Sequence, residues 1–171
     1  MPVWHGVGMA DRDRDSTGRA RNARPRDDAG RPLPHGAAGV ERVPDDLVLG
    51  PEDTVVEAQR HLDAGRPFHA HEVLEAAWKA APQAERELWR GLAQLAVGLT
   101  HLQRGNTRGA VALLQRGAER VEQWSAESDG SPPAGLDLDG LVRHAGALVA
   151  HLERPVEEPL PGDALNPRLR S

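Results

Sequence analysis

Between Pro82 and Pro132 no proline interrupts the chain, and within that window Leu88, Leu92, Leu95, Leu99 and Leu102 recur at spacings of 4, 3, 4 and 3. At about 100° per residue the five side chains form one stripe, the pattern of a helix with a packed seam. Trp89, Ala93 and Ala96 widen the apolar face, so this helix needs partners on more than one side. The flanking sequence supplies them. Pro51-Glu-Asp-Thr starts a helix, its acids favoured by the helix dipole, and Val55, Val56, Ala58, Gln59 and Leu62 follow before Gly65 stops it. A second helix is expected from about Phe68 to Ala80, closed by Pro82, and the seam helix runs from about Glu85 to Arg104. Asn106 or Thr107 caps a fourth, which fades near Trp124 into a loop over 125–135. A fifth, about Leu138 to Glu153, buries Leu141, Val142, Ala145, Leu148 and Leu152.

The first four helices carry an internal repeat. His61-Leu62-x-x-Gly65 returns as His101-Leu102-x-x-Gly105, an offset of 40 residues, and Ala70 and Leu74 return as Ala110 and Leu114. Each unit is a helix, a glycine turn and a second helix with small residues where its partner crosses. The fold class is therefore all-α: two antiparallel helical hairpins of tetratricopeptide-like type, plus a C-terminal capping helix. Residues 45–153 form this helical domain. Residues 1–44 are rich in Arg, Pro and Gly and form an extended or disordered arm, which in an alternative reading lies along the acidic C-terminal half, in cis or across a homodimer. Residues 154–171, with Pro155, Pro159, Pro161 and Pro167, form an irregular tail.

Composition removes several classes of function. With no cysteine there is no disulfide framework, thiolate metal site or Cys nucleophile. Acids and bases balance over residues 1–121, and the surplus behind the net charge of −5 sits in residues 122–171, which argues against nucleic acid as a partner. Nothing approaches the roughly 18 apolar residues of a membrane span, and a cytoplasmic location is the expectation.

Opposite its leucines the third helix aligns Arg90, Gln94, Val97 and His101. On the second, His71, Glu75 and Trp78 fall at i, i+4 and i+7 beside Leu74, while His69, Glu72 and Lys79 are expected to point outward. A carboxylate at the edge of a buried face needs a cation or a hydrogen-bond donor opposite. The expected site is thus a semi-buried polar pocket of His71, Glu75, Trp78, Arg90, Gln94 and His101, joined through the repeat by His61.

These residues carry a family resemblance. Phe68-His-Ala-His-Glu-Val-Leu-Glu-Ala-Ala-Trp78, then Leu88-Trp-Arg-Gly-Leu-Ala-Gln-Leu-Ala-Val97, then Arg104-Gly-Asn-Thr-Arg-Gly-Ala110, resemble domain of unknown function family 309. The resemblance covers about 55–125. It implies an all-helical fold and a shared site, and it names no reaction.

Two functions from different classes fit. The first is a binding module whose polar pocket floors a groove for a protein segment or a small ligand, without a cofactor. The alternative is a hydrolase-like enzyme, metal- or acid–base-dependent, using His71, Glu75 and His101, with a divalent metal ion as its cofactor. Helical zinc sites place two histidines at i, i+4, whereas His69 and His71 stand two apart and splay about 160° round the helix.

Overall fold

The computed structural model describes residues 24–40, 43–44, 46–155 and 158–171. Its five helices are α1 (Pro51–Asp63), α2 (Pro67–Ala80), α3 (Arg86–Gln103), α4 (Thr107–Glu127) and α5 (Leu138–Leu152), with a 3₁₀ turn at Pro133–Gly135. The described residues adopt the expected all-α fold, and among them no helix is long and apolar enough to cross a membrane. Local chemistry sets the boundaries. Proline stands in the first turn of α1 and α2, where its missing N–H costs nothing. Asn106 and Asp137 cap α4 and α5 by accepting from the N–H groups of Gly109 and Gly140 at 2.9 Å.

The 40-residue repeat is a repeat of backbone. At the end of α1, Gly65 N donates to Leu62 O and Arg66 N to His61 O; at the end of α3, Gly105 N donates to Leu102 O and Asn106 N to His101 O. Both are Schellman turns, and Gly65 and Gly105 take the left-handed φ of 69° and 76° that such turns require. Each helix packs on its neighbour in sequence. Central α3 lies between α2 and α4, and all five seam leucines are buried. It meets α4 at bare backbone: a Cβ on Gly91 would stand 3.1 Å from Gly117 O, and one on Gly117 would stand 3.0 Å from Gly91 O.

Two expectations change. Helix α4 runs to Glu127, past Trp124, because Trp124 Nε1 donates to Ala84 O at 2.7 Å and anchors that turn to the α2–α3 loop. The tail is irregular but docked. Gln59 of α1 receives Leu169 N on Oε1 at 2.8 Å and donates from Nε2 to Asn166 Oδ1 at 3.1 Å, while Leu169 O accepts from Asp137 N at the start of α5. Ala164 and Leu169 are buried, so the tail joins the first helix to the last.

Candidate functional site

The side chains expected to form one pocket are divided among four contacts. His71 Nε2 and Glu75 Oε2 meet at 3.0 Å, and Lys79 Nζ stands 2.6 Å from Glu75 Oε1, so the carboxylate finds its partners on its own helix. Arg90 crosses from α3 to α2, but its guanidinium lies over the Trp78 ring at 5.5 Å. Gln94 Oε1 accepts from Arg120 of α4 at 3.2 Å, and Arg120 also pairs with Glu87. His101 Nδ1 faces Asn106 Nδ2 at 2.7 Å, inside its own turn. The polar stripe of α3 is thus split because the helix is packed on both sides. Gln94 falls into the α4 seam, while Arg90 falls into the α2 seam. Burial pushes His71 below its ordinary pKa against the pull of Glu75. Burial also opposes the Glu75 charge, but Lys79 and His71 outweigh it and hold that carboxyl below its usual range. Among the described residues no group of three or more His, Asp or Glu is arranged to hold a metal ion.

The densest buried chemistry lies one turn earlier, around a residue expected to point outward. His69 is 0% exposed and stacks on His61, itself 4% exposed, with ring centroids 5.6 Å apart and planes 26° from parallel. The first turn of α2 faces α1 rather than solvent, and His69 shares its stripe with buried Val73. Among the described residues neither ring nitrogen of His69 has a hydrogen-bond partner, and neither does Nδ1 of His61. His61 Nε2 is 3.2 Å from Glu57 Oε1. Burial, followed by the nearby His61 and Arg66 charges, lowers the His69 pKa to about 4. Burial and then Arg60 depress that of His61. Both imidazoles are therefore neutral near pH 7 and carry hydrogen-bonding capacity that the fold leaves unused.

A cleft flanks the pair on one side and a covered aromatic ring on the other. On the α1 side, His61 lines a cleft of about 420 Å³ walled by Val43, Leu47, Leu49 and Val56 and rimmed by Asp53, Glu57 and Arg60. On the other side stands Phe68, the one phenylalanine of the chain, edge-on to His69 at 5.6 Å. Residues 26–31 of the arm cover Phe68. Arg26 lies over its ring at 4.7 Å and Arg104 at 5.6 Å. Arg66 Nε donates to Asp28 Oδ1 at 2.8 Å, and Arg104 Nε donates to Ala29 O at 2.9 Å. The described part of the arm therefore seats on the helical core at the start of α2. Arg19 and Arg21, which belong to the same basic run, lie outside the described residues.

With that geometry in place, residues 55–113 match the family model described as Domain of unknown function (DUF309). Over this span the chain is similar to the DUF309 family. The resemblance drawn from the His-Glu-x-x-Glu-x-x-Trp helix is thereby borne out over this span. The chain is also 41% identical over 87 residues to the uncharacterized protein YpuF of Bacillus subtilis (strain 168), an overlap of 50% of this chain and 48% of that protein. The chain thus spans about half the length of that relative. No solved structure matches it. The DUF309 span runs from α1 into α4, so it contains both Schellman turns, His61, Phe68 and His69, whereas the arm and α5 lie outside it.

Proposed function

We propose that this chain is a binding module for a small, mostly apolar ligand that carries a hydrogen-bond donor such as a hydroxyl. One observation carries the reading: His61 lines an apolar-walled cleft, and its buried Nδ1 has no partner among the described residues, so a ligand reaches it by displacing the side chains that cover the ring. Nε2 lies 3.2 Å from Glu57 Oε1 and 3.4 Å from Arg60 Nη2, and the closer carboxylate favours the tautomer protonated at Nε2, in which Nδ1 is an acceptor. A volume of about 420 Å³ is of the size that small-molecule sites use, with apolar walls and few polar groups. His69, stacked behind His61, fixes its ring plane as a second layer would.

The test is a titration followed by NMR of the imidazole nitrogens, using cyclohexanol with methylcyclohexane as its matched partner lacking the hydroxyl. Cyclohexanol is expected to shift the His61 Nδ1 signal saturably and to raise the melting temperature, as any ligand of the native state does. Methylcyclohexane should bind more weakly, and His61→Phe should erase the difference. Equal responses to the two probes, or no response in the unaltered chain, would remove the reading.

A further inference from the structure

The arm closes over Phe68 through groups that any short peptide turn could present. On the helical side stand the Phe68 ring and, flanking it, the guanidiniums of Arg66 and Arg104. The arm offers a carboxylate from Asp28 to Arg66 and a main-chain carbonyl from Ala29 to Arg104. At Gly30 it presents bare backbone to the ring. A Cβ there would stand 2.1 Å from Phe68 Cγ, and the φ of 72° suits glycine alone. Inside the turn, Gly30 N donates to Asp27 O and Arg31 N to Asp27 Oδ1, so its shape is self-supporting. The contacts holding it down are an exposed ion pair, an exposed carbonyl and a cation over a ring, each of a kind that contributes little by itself.

We propose that Arg66, Phe68 and Arg104 form a docking site for a peptide turn of the type carboxylate–any residue–glycine, and that residues 26–31 fill it in cis as a built-in competitor. The two arginines supply the charge that a carboxylate and a carbonyl seek, and the ring accepts only a residue without a side chain. Because Arg66, Phe68 and Arg104 belong to the DUF309 span and the arm does not, the receptor and its competitor are separate parts of the chain. This site shares no lining residue with the His61 cleft.

The experiment uses a labelled peptide of the sequence Arg24 to Pro34 and the full-length chain, with fluorescence anisotropy as the readout. Gly30→Val should lift the arm from the ring without touching a helix, and increased trypsin cleavage after Arg26 reports the lifting. If cleavage is unchanged, Asp28→Arg added to that variant removes the ion pair as well. The lifted chain is expected to bind the peptide at least about tenfold more tightly than the unaltered chain, in which the seat is taken. Asp28→Asn in the peptide, or Arg66→Gln in the lifted chain, should each weaken that binding roughly fivefold, the size of one exposed charge pair. A lifted arm with no gain in binding, or a gain indifferent to both changes, would overturn the proposal. His61→Phe in the lifted chain should leave peptide binding unaltered, which separates this outcome from that of the cleft.

Discussion

The two glycine turns of this molecule share a backbone and differ in almost everything attached to it. At the α1–α2 turn, Arg66, Pro67, Phe68 and His69 follow Gly65; forty residues later, Asn106, Thr107, Arg108 and Gly109 follow Gly105. The same hydrogen bonds close both. At the second turn a short polar cap does the work: Asn106 accepts from Gly109, and His101 leans on Asn106. A side chain at Gly109 would have nowhere to go, since a Cβ would lie 2.6 Å from Asn106 Nδ2. At the first turn the equivalent position holds a buried imidazole with unmet nitrogens, stacked on the histidine that His101 repeats. A turn kept for structure alone needs no such residue. The difference puts the buried, unsatisfied imidazole at the first turn and a self-contained polar cap at the second.

Swapping the two residues that differ most should break the comparison most sharply. His69→Gly opens a void in a fully buried site and is expected to cost about 3 kcal/mol in urea unfolding. Acid should reveal the same histidine. Its folded pKa of about 4 lies below the ordinary 6.5, so the unfolded chain takes up the proton first. Stability is therefore fully present above pH 6.5 and is lost as pH falls towards 4, by about 3 kcal/mol from this group. Urea titrations across that range should show the loss in the unaltered chain and a much flatter profile in His69→Leu. Gly109→His, the reverse graft, should cost about 1–2 kcal/mol by displacing the Asn106 cap. Gly65→Ala and Gly105→Ala should cost about 1 kcal/mol each, and equally, because both positions are left-handed in the same motif. Unequal costs would show that the two backbones are not energetic equivalents.

Much of the scaffold was legible because its signals are local. The 4-3-4-3 leucines give the central helix, the prolines and glycines punctuate it, and Asn106 caps where the residue type says it should. The site was legible only in part. His71 and Glu75 pair because they are one turn apart on one helix. The expected meeting with Arg90, Gln94 and His101 depended on which neighbour each faces, and periodicity does not say that α4 claims Gln94. His69 was misplaced for a related reason: the side of α2 it occupies is closed by α1 and shielded by an arm more than thirty residues upstream. Its one local clue was the i, i+4 relation to Val73. The internal match of His61 with His101 was the better guide, because it marked a position where the copies could be compared.

The clasp made by Gln59 has a mechanical consequence. A linear stack of helices would ordinarily fray from its ends, losing one layer at a time. Here one amide on the first layer grips the polypeptide just beyond the last, and Leu169 ties that same strand to the cap of α5. Neither end can peel without releasing the other, so heating should melt the stack in a single step, and a Gln59→Ala chain should come apart in two.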